Sequence, residues 1–106
     1  MVKRFDIYLV NLDDEVSKDA KNSRPSVVVS PDEMNDNVPY VIVAPISSGS
    51  AAYPTRIPID LLRSKRHIVL DQMRAVDSER LVKQIGSLDA ATRKAVLETL
   101  QEFFAE

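Results

Sequence analysis

The 106-residue chain has no cysteine and no tryptophan, only two glycines and a single histidine. Without thiols there is no disulfide, no thiolate metal site and no cysteine nucleophile. Gly49 and Gly86 are too far apart to build the glycine-rich loops that cradle dinucleotides or triphosphates. Neither Ser47 nor Ser48 lies in the Gly-x-Ser-x-Gly elbow of a serine hydrolase. The N-terminal stretch MVKRFDIYLVNLDDE is short and interrupted by Asp6 and Asn11, so it reads as neither a signal peptide nor a membrane span. The expected compartment is therefore the cytoplasm, with no membrane partner. Charge of one sign is also lacking. With a net charge of −2, a nucleic-acid site has to be a local groove rather than a globally basic surface. A metal centre needs several converging His, Asp or Glu. Asp13, Asp14 and Glu15 are adjacent, but in a polar stretch that reads as solvated loop, so neither metal nor cofactor is expected.

What is present suits one globular domain over 1–106. Apolar residues make up 44% and charged residues 28%, too much apolar surface for a disordered chain. Phe5 to Val10 alternates as a strand does. A polar loop follows from Asp13 to Ser23, long enough to suggest a functional role. Pro25 to Ser30 is a valine-rich strand. Ser30, Pro31 and Glu33 form a helix-start signal for a single turn, with Ser30 as the cap. Tyr40 to Ile46 is nearly all apolar and reads as a central strand buried on both faces. Pro45 requires it to end, bulge or lie on an edge there. Ser47 to Ala51 is a turn, and Thr55–Ile59 and His67–Leu70 are further strands. Asp77 to Leu88 fits either helical spacing or a turn followed by a last strand. Asp89 caps an amphipathic helix whose apolar face carries Val96, Leu97, Leu100, Phe103 and Phe104. The expected architecture is mainly β with α: a small barrel of five to six short strands with the terminal helix packed on it.

The chemistry-bearing residues are few. His67 sits in a basic run with Arg63, Lys65 and Arg66. A histidine serves as a general base when a partner orients it, and otherwise as a surface side chain. The run itself reads equally as a solvated turn or as phosphate contacts. Arg24 opens the second strand and Ser47 ends the third. An arginine fork matches a phosphate, and a serine hydroxyl donates to a phosphate oxygen. By pattern alone, an arginine ahead of a strand is usually just a solvated charge.

Three segments change that weighting. RPSVVVSP (Arg24 to Pro31), YVIVAPISSG (Tyr40 to Gly49) and HIVLDQMRAVD (His67 to Asp77) occur in the order and spacing of the MazF/PemK toxins of bacterial toxin–antitoxin pairs. The similarity runs from about residue 4 to the terminal helix. This resemblance implies an SH3-like barrel, a homodimer and an antitoxin whose disordered tail wraps the toxin. It also implies metal-independent cleavage of single-stranded RNA at short motifs, by attack of the 2′-hydroxyl on the adjacent phosphorus. The family's Arg-Pro arginine corresponds to Arg24, and its strand-end hydroxyl to Ser47 with Ser48 beside it. Its acid–Gln pair is Asp71 and Gln72, followed by the basic Arg74. Arg24 and Ser47 are the expected catalytic pair, with Asp71 or His67 assisting proton transfer. Ser48, Tyr53, Arg56, Arg63, Lys65, Arg66, Gln72 and Arg74 are the expected RNA contacts, Tyr53 as a stacking face. The chain departs from the family in two places. Ser17, Lys18 and Asp19 replace a Gly-Ser-Glu loop motif, and Val69 stands where some PemK-type members carry arginine. The same barrel also resembles CcdB-type gyrase poisons, which bind a protein and catalyse nothing, and fold alone does not decide between these functions. A binding module without activity is a third reading.

Overall fold

The computed structural model of the chain describes residues 1–12, 23–48 and 53–105. Seven strands and two helices follow one another along it. They are β1 (Asp6–Asn11), β2 (Ser23–Val28), α1 (Asp32–Asn37), β3 (Tyr40–Ser47), β4 (Arg56–Leu61), β5 (Ser64–Val69), β6 (Arg74–Asp77), β7 (Leu81–Ser87) and α2 (Ala90–Phe103). All strand pairs are antiparallel, in the order β4-β5-β3-β2-β1-β7, with β6 also on β3. The sheet curls into a half-barrel. The strand count exceeds the expected five to six because β6 and β7 are separate strands. Of the two readings of Asp77 to Leu88, the turn and final strand is the one adopted: a 3-10 turn at Ser78–Arg80 leads into β7.

Strand alternation divides the sheet into two apolar clusters. Val27, Ala44, Ile46, Ile57 and Ile68 face the side covered by α2 through Val96. Val10, Val28, Val41, Val43 and Val76 form the second cluster. β3 contributes to both, as expected of a central strand buried on both faces.

Asp89 caps α2 as expected, accepting a bond from the Thr92 N–H at 2.8 Å. The α2 face is less covered than its spacing suggests. Val96 is its one fully buried residue, while Leu97, Phe103 and Phe104 are exposed. At α1 the expected serine cap does not form. Pro31 occupies the cap position. Ser30 instead accepts from the Ile42 N–H at 3.0 Å and donates to the Asn35 side chain, tying α1 to β3. β4 and β5 join through Leu62 and Arg63, both at positive φ (52° and 62°). That is the geometry of a tight two-residue hairpin, whose twist matches the flanking strands.

Two prolines set where β2 and β3 part. Just beyond β2, the Val29 N–H donates to the Ile42 carbonyl at 2.9 Å. Backbone groups alternate sides along an antiparallel strand, so the odd-numbered residues of this segment direct theirs at β3. Pro25 is the next such position beyond Val27, which pairs with Ala44, and it has no N–H to give. The ladder ends at Ser26 opposite Pro45. On the far side of β3, the pairing with β6 ends at Val43 and that with β5 begins at Ile46. Pro45 falls in that gap and so sits on a local edge, as its missing donor requires.

Candidate active site

Where β2 and β3 separate, a cleft of about 570 Å³ opens on the sheet. Pro25, Ser26 and Pro45 form its floor at the ladder end, and Leu12 closes one side. Arg24, Ser47, Ser48, Arg66, Gln72 and Arg74 line it. All six are residues singled out in the sequence. Among the described residues, three arginines and three serines line the cleft and no carboxylate does. A chain of net negative charge therefore holds a locally positive groove.

Register accounts for this convergence. Side chains two apart on a strand share a face. Ser26 and Pro45 are partners, so Arg24 and Ser47, each two residues further on, share their face and the next position. Arg74 is paired with Val43, which puts it on this face from the opposite side of β3. Two of the arginines are anchored. Arg24 Nη1 donates to the Ser23 carbonyl at 3.1 Å. Arg66 Nε donates to the Leu61 carbonyl and to Ser64 Oγ, at 3.2 and 3.0 Å.

The other sequence candidates fall into three places. Asp71, Arg56 and Tyr53 form a cluster beside the cleft. Arg56 Nε lies 3.6 Å from an Asp71 carboxylate oxygen, and its guanidinium stacks 4.7 Å from the centre of the Tyr53 ring. Thr55 Oγ1 donates to the same Asp71 oxygen at 3.1 Å. Partial burial pushes the Asp71 carboxyl up. The backbone bond, the Thr55 bond and the Arg56 charge outweigh it and hold the group below its ordinary value. Asp71 and Gln72 do not continue the preceding strand. They lie in a 3-10 turn, Leu70–Gln72, whose Leu70 is fully buried. His67 is the direct partner of Ser47 across β3–β5, yet it lines a separate depression with Lys65, Asp60 and Asp89. Arg63 sits at the β4–β5 hairpin tip and is exposed. The loop positions Ser17, Lys18 and Asp19 lie outside the described residues.

The sequence did not single out Thr55 as the partner of Asp71, nor Leu12 and Ser26 as part of the cleft. The two prolines, Pro25 and Pro45, were the available signal for where the cleft opens, because each removes a ladder donor. Among the described residues, no three His, Asp or Glu lie close enough to hold a metal ion, and no helix is long and apolar enough to cross a membrane.

Residues 3–104 match the family model described as PemK-like, MazF-like toxin of type II toxin–antitoxin system. The chain is 34% identical over 110 residues to Endoribonuclease EndoA of Bacillus subtilis, covering 95% of this chain and 92% of that protein. It is 33% identical over 94 residues to Endoribonuclease MazF of Staphylococcus epidermidis, covering 83% and 78%. Its fold matches a mycobacterial endoribonuclease solved in complex with its cognate antitoxin, with a TM-score of 0.79, 15% identity and coverage of 96% and 93%. These relatives favour the ribonuclease expectation over the gyrase-poison alternative. With a family match over nearly its whole length, the chain belongs to the PemK-like, MazF-like toxins of type II toxin–antitoxin systems.

Proposed function

We propose that the cleft is the active site of a metal-independent endoribonuclease that cuts single-stranded RNA at short sequence motifs. The observation that carries this reading is the set of three arginines and three serines, with no carboxylate among the described lining residues. The substrate's own 2′-hydroxyl attacks the adjacent phosphorus. The bond from phosphorus to the 5′-oxygen breaks, leaving a cyclic phosphate and a 5′-hydroxyl. Because the nucleophile belongs to the RNA, DNA is inert. Arg24 binds the phosphate in its fork and offsets the negative charge that builds there, and Ser47 donates to a non-bridging oxygen. Ser48, Gln72, Arg66 and Arg74 hold the flanking backbone.

One proton must leave the 2′-hydroxyl and one must reach the departing 5′-oxygen. Asp71 is held by Thr55 and Arg56, and His67 is across the ladder from Ser47 while lining the neighbouring depression. His67 is the candidate for assisting proton transfer on its register opposite Ser47 alone, and Asp71 holds its turn in place. Tyr53, Arg56, Arg63 and Lys65 contribute RNA contacts outside the cleft.

The chain acts as a single toxin domain in the cytoplasm and is neutralised by a cognate antitoxin, as in the solved mycobacterial complex. It works as a homodimer. The exposed apolar side chains of Leu97 on α2 and Phe104 just beyond its end, beside Ile42 and Met73, support such an assembly. Incubation of the purified protein with matched RNA and DNA oligomers in excess EDTA tests the reading. RNA cleavage leaving cyclic phosphate ends is expected. An intact, varied long transcript would refute the activity, and cleavage only with added metal would refute the mechanism.

A further inference from the structure

A second depression of about 420 Å³ adjoins the cleft and shares Leu12 and Arg74 with it. Ala75, Asp77 and Arg80 also line it. Among the described residues β6 pairs with β3 alone, so its other edge is open. The depression runs along that edge. It therefore meets residues from both faces of β6, Arg74 from the face of the cleft and Ala75 and Asp77 from the other. The bond-breaking step uses neither Ala75 nor Arg80.

Three donors meet at this edge. Arg80 Nη1 donates to the Asn11 carbonyl at 3.2 Å, which holds its guanidinium against the chain leading into Leu12. Arg74 stands opposite Val43 and is exposed. The third donor is a backbone group. Ile42 accepts through its carbonyl from the Val29 N–H at 2.9 Å and donates its own N–H to Ser30 Oγ at 3.0 Å, both on the β2 side. Ala75 is the partner of Ile42 in the β3–β6 ladder. The two are therefore a non-hydrogen-bonded pair, and the Ala75 N–H turns outward to the open edge. Two guanidiniums and an outward N–H are the donors that phosphate oxygens accept from. With two arginines to one carboxylate among its described lining residues, the depression continues the positive sign of the cleft. Val43, level with Arg74, is roughly 13 Å along β3 from Ser47 at the usual rise per strand residue. Nucleotides stacked about 3.4 Å apart cover that in about four steps, and an extended strand covers it in fewer. The depression thus lies a few nucleotides along a strand whose cleaved phosphate sits between Arg24 and Ser47.

We propose that Arg74, Arg80 and the Ala75 N–H form a second phosphate subsite, which holds the RNA backbone a few nucleotides from the cleaved bond and reads charge rather than base. This rests on the ribonuclease reading above. A sequenced digest of a long RNA supplies the cleaved motif. An oligomer of that motif alone is then compared with oligomers extended by several nucleotides on one side or the other. On one side the extension is expected to lower KM about tenfold with kcat unchanged, the gain from one charge-assisted hydrogen bond. An abasic extension should keep the gain, and an extension of uncharged methylphosphonates should lose it. Arg80→Gln retains a donor for the Asn11 carbonyl and removes the charge. It should abolish the gain and lower the slope of log KM against log salt by about 0.7, the single-strand value for one phosphate contact. Melting curves by circular dichroism accompany the variant. If it does not fold, neutralising the extension one phosphate at a time on wild type decides the matter, with one phosphate expected to carry the gain. No gain from either extension, a gain that needs the bases or survives methylphosphonates, or a gain undiminished in Arg80→Gln overturns the subsite. No cleavage of any RNA by wild type overturns the ribonuclease reading itself.

Discussion

Arg24 on β2 and Ser47 on β3 stand at facing register positions two residues beyond the last ladder pair, Ser26 with Pro45. The hydrogen-bonded sheet thus brings the two strands to a fixed separation and then releases them. The guanidinium and the hydroxyl lie at the mouth of that opening, backed by strands whose inner faces are fully buried.

Arg24→Ala is expected to lower the single-turnover cleavage rate by about 10²–10³-fold, the usual effect of removing one preorganised donor. Melting temperature should stay near wild type, because Arg24 is exposed. Arg24→Lys should recover only part of the loss, since an ammonium is a point charge without the planar fork. A rate close to wild type in Arg24→Ala would remove the residue from its role.

Asp71 is expected to act through the turn it holds. Asp71→Asn and Arg56→Ala should each lower activity modestly, and the double variant should be little worse than either alone, because the two groups share one interaction. Rates from a double-mutant cycle check this. Fully additive losses, or a loss in Asp71→Asn as large as that of Arg24→Ala, would mark Asp71 as a participant in the chemistry.

The pH dependence of that cluster has a definite sign. The folded Asp71 carboxyl titrates below its ordinary value of 3.8. The unfolded state therefore takes up its proton first as pH falls. The stabilisation is fully present above 3.8 and is lost as pH drops through the folded value. Thermal midpoints of wild type and Asp71→Asn should differ by a constant amount at neutral pH and converge in acid. A gap that widens in acid would contradict the assignment.

Pro25→Val restores a backbone donor directed at β3. Pairing should extend past Ser26, drawing Arg24 and Ser47 together and narrowing the cleft. Stability should be unchanged or higher while cleavage falls. Hydrogen exchange at residue 25 and a cleavage assay on the same sample check both parts.

Ile68 is fully buried, paired with Ile46 on one side and Ile57 on the other. Ile68→Ala should cost about 2–5 kcal/mol of unfolding free energy, the range for a large aliphatic core truncation. Denaturant titration measures it. A cost under about 1 kcal/mol would mean that the ladder around Ile68 is not the rigid support of Ser47.

Some features needed no coordinates. Alternating and valine-rich segments gave β1, β2 and β3, and Asp89 with its apolar spacing gave α2. Residue type and family resemblance mark Arg24, Ser47, Ser48, Arg66, Gln72 and Arg74, all of which line one cleft. Local signals misled where a residue had a competing use. Ser30 carries a cap signature but spends its hydroxyl on Asn35 and Ile42. Asp71 follows a strand-like HIVL yet lies in a 3-10 turn, because Leu70 turns into the core.

The sequence by itself determined the strand-forming segments, the absence of thiol and phosphate-loop chemistry, the positions of both prolines and the family. These depend on residue type and near-neighbour spacing, which the chain states directly. Only the tertiary structure decided that Arg24, Ser47 and Arg74 share one face while Asp71 turns aside to Arg56 and Thr55. Those relationships come from the register of β2, β3, β5 and β6, strands far apart in the chain. One residue of slip would send every side chain to the opposite face. That register is set by burial on both faces of β3, a property of the packed sheet rather than of any one segment.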